Sequence, residues 1–485
     1  MDDTTKKHSI EHFEIAPEPG SDTGVFIDPV AEKKLLRKVD LRILPPLTVL
    51  FLLAFLDRTN IGNAKIQGMT AELKMGGHDY NIALFVFFIP YILLEVPSNI
   101  VLKKISPSLW LSWIMVLWGI ATIGQGLVKT FEGLVAMRVL VGIFEAGLFP
   151  GCVYLISMYY KRYELQWRLS LFFSASILAG GFGGLLAYAL AKMDGIAGYS
   201  GWRWIFIIEG ILTTVVGILA RFWVCDWPET AKFLTEERLL LTSRLHADSG
   251  EAIMNRLDKA ATRRIFTDWK IYCGVIMYLG IVNTGYSGSF FIPTIIREMG
   301  YTSASAQIRS IPIFVVAAVC SIAAAWLTDR LRHRFAFCIF GLVVVSIGYI
   351  ILLCQTGLSV GVKYFALFLV VPGGYITQPI VLAWVQNCMS GHYKRSVAAA
   401  MTVGIGNIGG IVASNVFFVT EAPLYRTGYG VGLGFLWICG LGCVVLFAGV
   451  LWENRKRDRG ERDDRLAWPD VDNLGDDHPS FRFTT

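Results

Sequence analysis

Apolar stretches of about twenty residues recur along nearly the whole chain, separated by short polar segments. A run of that length crosses a hydrocarbon core of ~30 Å as a helix. The pattern predicts twelve spans, at roughly 43–63, 80–101, 109–127, 132–155, 168–191, 203–223, 271–296, 308–328, 335–355, 362–387, 396–420 and 431–452. The fold class expected is therefore an all-α membrane protein. Its two six-helix bundles, 43–223 and 271–452, are joined by a polar loop over 224–270 whose TEERLLLTSRLHADSGEAIMNRLDKA stretch reads as partly helical. The first 42 residues, with Pro17, Pro19 and Gly20 and no signal-peptide core, read as a disordered tail. A similar tail covers 453–485.

Composition agrees: 54% of the 485 residues are hydrophobic and 17% charged, and the mean hydropathy is +0.52. The net charge of +6 is distributed by topology rather than gathered for nucleic acid. If both tails and the central loop lie inside, 33 of the 44 Lys and Arg residues fall on the inner side, and only Arg58 and Arg138 lie deep in the membrane. That asymmetry is the positive-inside signal, and it places both termini in the cytoplasm. The nine cysteines form no CxxC pair, which leaves disulfide and zinc readings unsupported.

Two ionisable clusters interrupt the apolar pattern. In RVLVGIFEAGLFP, Arg138, Gly142 and Glu145 recur at i, i+4 and i+7 and share one helical stripe. In the first span FLLAFLDRTNIGNAKI carries Asp57, Arg58 and Asn60. A charge in hydrocarbon costs about 2.5–3.5 kcal/mol on insertion scales, so such groups face a bundle interior or a watery path. Arg58 offers a planar donor fork suited to a carboxylate. Glu145 is the expected proton carrier, paired with Arg138 when ionised and releasing it when protonated. Asp57 is a second proton site, and it shares a face with Asn60. Asn283, Tyr286 and Asn407 are polar groups at membrane depth expected to join Arg58, Arg138 and Asn60 around a substrate. Glu95 is placed to latch onto Lys103 or Lys104 as a gate, and Glu209 reads as an interhelix contact. The seven histidines all lie in tails or loops, and no Ser/His/Asp set or phosphate loop accompanies the carboxylates, so no enzyme is expected.

Several strings in order carry a family likeness. AAWLTDRLRHR (Ala324 to Arg334) resembles the GxLxDRxGRR loop of major facilitator transporters, with Asp329 and Arg330 as its gating pair. FLDRTNIGNAKIQGM, LEVPSNIVLKK, RVLVGIFEAGLFPG, GWRWIFIIEG and WPETAKFLTEERLL together resemble the anion:cation symporter family, and within it the fungal allantoate and nicotinate permease branch. The likeness covers about residues 40 to 455. It implies a major facilitator fold and proton-coupled import of a small organic anion (nicotinate-, allantoate- or pantothenate-like) across the plasma membrane. Asp57, Arg58, Arg138 and Glu145 fall on the family's charged positions. The seventh span, YLGIVNTGYSGSFFIP, lacks the arginine of vesicular-glutamate-type relatives, which argues against a dicarboxylate. The partners expected are the anion, protons and the bilayer, with no nucleic acid, no cofactor beyond the proton, and a monomer. Export of an acidic metabolite, drug/proton antiport, sugar transport and a non-transporting nutrient sensor are the other readings. The antiporter lacks its Gly-Pro signature in LAGGFGGLLA of the fifth span.

Overall fold

The computed structural model describes residues 29–76, 78–161, 164–234, 237–249, 254, 259–331, 333–468 and 470–485. Among these residues there is no strand, and twelve helical spans are long and apolar enough to cross a membrane. They run Val30–Ile66, Asp79–Lys104, Pro107–Leu127, Phe131–Ser157, Trp167–Leu190, Gly201–Trp223, Trp269–Glu298, Ser305–Leu331, Arg334–Leu353, Val360–Asn387, Tyr393–Asn415 and Arg426–Asp458. Helices are the form that satisfies every backbone donor within one segment, which hydrocarbon demands. Large apolar side chains such as Phe222, Trp437 and Leu441 stand exposed on the outer wall, as lipid contact requires.

The two halves pack through small residues. Span five passes span eight so closely that a Cβ on Gly180 would lie 2.5 Å from the Phe314 ring. Span eleven meets span two in the same way, with Gly410 against the ring of Phe88 at 2.6 Å. Both glycines belong to glycine-rich strings, LAGGFGGLLA and VGIGNIGGIVASN, whose place at the interface between the halves fits close backbone approach.

Two expectations about the ends of the chain need correction. Residues 29–42 are not disordered: the first helix begins at Pro29 and runs unbroken to Ile66. Leu35, Val39 and Ile43 recur at four-residue intervals and are all buried. Glu32 binds Lys161 at 2.7 Å and Arg244 at 2.6 Å, and Asp40 binds Arg168 at 2.6 Å. The tail over 1–28 lies outside the described residues, as do parts of the central loop, whose described residues carry helices Arg238–Ser249 and Lys259–Thr267.

The last residues are also ordered. Beyond Asp458 the chain folds back under the second half, burying Phe481 and Phe483. Trp384 donates its indole N–H to the Thr484 carbonyl at 2.9 Å. Asp476, with no exposed surface, sits 3.0 Å from Lys270 and 2.8 Å from Lys394. Asp268 completes the set at 2.9 and 2.6 Å from the same two ammonium groups. Two cations and two anions thus neutralise one another where spans seven and eleven begin. Burial pushes the Asp476 carboxyl up, but the two lysines outweigh it and hold it well below the usual carboxylate range.

A carboxyl held low in the folded state stabilises it fully above the unfolded value and loses that contribution only in strong acid. Docking of the tail is therefore expected to be constant between about pH 5 and pH 8. Asp476→Asn leaves two buried lysines facing one carboxylate and should cost about 3–5 kcal/mol. Limited proteolysis of the tail and the thermal midpoint in detergent check this, with the variant cleaved faster and melting lower.

Candidate functional site

Span one sets the stripe from which the site grows. Phe51, Phe55 and Arg58 recur at i, i+4 and i+7 and line one side of a cavity between the halves. Span two adds Tyr91, span four Phe149 and span five Phe173. The second half answers with Tyr278 and Tyr286 from span seven, Tyr375 and Gln378 from span ten, and Asn407 from span eleven. The free space is only about 20 Å³, which is room for about one water. The cavity is narrow, and its walls are aromatic with a few convergent polar groups.

Arg58 is the cation of this cavity. Its guanidinium donates to Glu145 and to the Tyr286 hydroxyl, and Tyr286 donates onward to Asn407 Oδ1 at 3.2 Å. The rings of Tyr91 and Phe87 lie 4.9 and 5.0 Å from its central carbon. A desolvated cation over aromatic faces gains about 2 kcal/mol. Arg58 and Glu145 are buried, and Arg58 Nε and Glu145 Oε2 have no hydrogen-bond partner among the described residues. The pair therefore keeps donor and acceptor capacity in reserve.

Glu145 owes its position to a break in span four. The helix Phe131–Glu145 ends on it, and Leu148–Ser157 resumes after Gly147, whose φ of 88° is in the left-handed region. A side chain there would also meet Ser98 Cβ at 2.6 Å. Span two is also interrupted, between Asp79–Phe85 and Phe88–Lys104, and span eleven between His392–Gly406 and Ile408–Asn415 at Asn407. Irregular backbone at membrane depth is tolerated where protein or a cavity surrounds it.

Several expected roles change. Arg138 does not pair with Glu145; its Nε donates to the Ala83 carbonyl at 3.1 Å, and its guanidinium lies 5.6 Å from the Phe87 ring. Seven residues on a helix are about 10 Å along the axis, too far for a direct pair, and span one supplies the nearer cation. Arg138 is thus buried beside the cavity and outside its lining. Asn60 also leaves the substrate list: its amide binds Glu209. Asp57 turns the same way and accepts from Trp118 at 2.7 Å and Thr213 at 3.1 Å. Asn283 bonds the Gly409 carbonyl at 3.3 Å, which ties span seven to span eleven. Of the expected substrate residues, Arg58, Tyr286 and Asn407 come together. The aromatic stripe with Tyr278, Tyr375 and Gln378 was missed as a lining, although the i, i+4, i+7 repeat ahead of Arg58 marks part of it.

The gate residues also sort themselves. Glu95 is fully buried, faces Gly404 of span eleven, and makes no latch with either lysine. Lys103 instead lies over the Tyr393 ring at 2.8 Å, and Lys104 is exposed. Asp329 accepts from the backbone N–H of Trp167 at 3.0 Å, tying span eight to the start of span five. Arg330 rests 5.4 Å from the Trp326 ring.

A profile of the Major Facilitator Superfamily matches residues 47–414. The chain belongs to that superfamily. Among its relatives are the MFS-type transporter cnsO of Penicillium expansum, 34% identical over 93% of this chain and 90% of that one. Another is the major facilitator-type transporter hxnP of Emericella nidulans, 31% identical over 95% of both. Two uncharacterized transporters of Schizosaccharomyces pombe are 36% and 35% identical. The fold is similar to that of the proton:xylose symporter XylE, with a TM-score of 0.67 over 86% of this chain and 96% of that one at 16% identity. A bacterial homolog of the lysosomal transporter Spinster, in an inward-facing and occupied conformation, gives 0.59 over 87% and 97% at 16% identity. This major facilitator protein is a multi-pass membrane protein and a secondary transporter.

Its site depends on one close approach. A Cβ on Gly142, midway between Arg138 and Glu145, would lie 2.9 Å from the Pro90 ring and closer still to the Phe87 carbonyl. Gly142→Val is expected to force span two away from span four and displace Phe87 from both arginines. Overpacking of this kind costs about 1–3 kcal/mol. Transport should fall much further than the thermal midpoint, measured on the same preparation.

Proposed function

We propose that this transporter is a proton symporter that brings a small organic carboxylate into the cell across the plasma membrane, with both termini in the cytoplasm. The motif likeness supports the anion:cation symporter family and its allantoate and nicotinate branch as its place in the superfamily. The observation that carries the reading is the buried contact of Arg58 with Glu145, flanked by Tyr286 and Asn407 from the other half. A guanidinium in this dry cavity needs an anion at every stage, since removing one partner of a buried pair costs about 3–5 kcal/mol. In this structure Glu145 is that anion. Protonation of Glu145 frees the Arg58 fork, and the substrate carboxylate takes its place. Loss of the proton restores the internal pair and expels the substrate. Proton and anion thereby travel together by competition for one cation.

The aromatic walls fit a flat or apolar substrate body. Tyr286 and Asn407 link the anion to the second half, so binding draws the halves together. Asp57 supplies the second proton site of the cycle. With two protons per monovalent anion, each 100 mV of inside-negative potential contributes about 2.3 kcal/mol to uptake. The working unit is a monomer, and the proton is the only coupling agent.

The test is uptake of labelled nicotinate, allantoate, pantothenate and biotin in expressing cells, at external pH about 5 and about 7, which changes the proton supply about a hundredfold. One compound should enter faster in acid. Arg58→Ala should reduce its uptake about 100-fold or more, the cost of a buried pair. Glu145→Gln should weaken the pH dependence of uptake, leaving only the part set by the second proton site. Full activity of both variants, or uptake of none of the acids, would sink this assignment. Tyr286→Phe removes one hydrogen bond to Arg58 and should raise KM roughly fivefold, which corresponds to ~1 kcal/mol.

A further inference from the structure

Behind the cavity, on the side of span one turned away from it, lies a second polar cluster. Asp57 and Asn60 face Trp118 and Thr122 of span three and Glu209 and Thr213 of span six. All six are 5% exposed or less, and none lines the cavity. The hydrogen bonds run from Trp118 Nε1 and Thr213 Oγ1 to Asp57 Oδ2, and from the Asn60 amide to Glu209 Oε2. Every one of these donors is neutral.

The cluster has too few hydrogens. Asp57 Oδ1, Glu209 Oε1 and Asn60 Oδ1 are buried acceptors with no hydrogen-bond partner among the described residues, and the Thr122 hydroxyl is likewise unpartnered. Thr122 lies one helical turn beyond Trp118, on the same face of span three. Two carboxylates held only by neutral donors would each cost several kcal/mol in a dry core. One added proton supplies the missing donor: a carboxyl O–H forms, donates to a free oxygen of the cluster, and removes one of the two charges. The ionisable groups facing Asp57 are Glu145 and Arg138 on span four and Glu209 on span six. Span three brings none, and Arg58 on span one points to the cavity.

We propose that Glu209 and Asp57 form one proton-binding unit in the wall of the first half, holding a single proton between them, and that this is the second coupling proton of the transport cycle. The proton comes from water on the outer side as the site opens to it, with an O–H bond formed at one carboxyl. It leaves to water on the inner side when that bond breaks. Asp57 and Arg58 are consecutive residues, so the same turn of span one carries the proton unit on one side and the anion site on the other. The inference rests on the proton-symport reading for its role in transport, whereas proton binding at the cluster stands on the geometry.

Infrared difference spectra of the purified protein in lipid vesicles, acid minus alkaline and without substrate, test the binding directly. A protonated-carboxyl band that persists in Glu145→Gln, and is lost or shifted in both Glu209→Gln and Asp57→Asn, is the expected result. A band that responds to Asp57→Asn alone overturns the shared unit, as does a band that sodium ions abolish at fixed pH. Transport supplies the second arm. Losing one of two protons lowers steady-state accumulation about tenfold for each pH unit of imposed gradient, and uptake ceases to move net charge. Glu209→Gln should show both effects, and Glu209→Asp should recover part of each. An unchanged ratio of charge to substrate in a folded Glu209→Gln protein overturns the coupling role. Wild-type uptake indifferent to pH would instead fail the symport reading, leaving the infrared result to stand or fall alone.

Discussion

A guanidinium buried between two helix bundles cannot be left without an anion, and the arrangement around Arg58 follows from that constraint. Phe87, Tyr91 and Tyr286 lie within 6 Å of its central carbon and exclude water. Low dielectric makes the attraction to Glu145 strong, and equally raises the penalty of separating the two. The halves meet at this point because Tyr286 and Asn407, from spans seven and eleven, complete the shell begun by spans one and four. The space they leave beside Arg58 is room for about one water.

Contacts on either side of the cavity hold the closed form. Towards the face that carries the termini, Asp329 reaches the start of span five and Lys103 lies on Tyr393. Towards the other face, the Asn81 amide donates to the Ser414 carbonyl at 3.0 Å. Each is one contact across the interface between the halves, and contacts of this size are weak beside the apolar packing within each bundle.

The spans were legible because hydrocarbon imposes a length and a polarity on every crossing helix, and all twelve fell where the apolar runs predicted. Arg58 and Glu145 were legible as lone charges for the same reason. Their pairing was not. Spacing along one helix gives the face a residue occupies, so Arg138 and Glu145 share a stripe, but which cation reaches Glu145 depends on the register between spans one and four. The same limit moved Asn60 and Asn283 out of the cavity, since a polar residue at membrane depth serves either a substrate or a neighbouring helix. Residues 29–42 and 453–485 read as tails because a polar, charged composition is shared by disordered segments and by segments docked through ion pairs. Asp476 is one carboxylate among many in that tail, and only the two lysines it meets distinguish it.

The break at Gly147 divides span four into two rods of unequal allegiance. The rod before it is clamped to span two at Phe87 and Pro90 through Gly142; the rod after it rests on Ser98 and Leu102, further along that helix. Glu145 stands at the elbow between them. A change of angle at this elbow would move the Glu145 carboxylate relative to Arg58 without sliding either rod along span two.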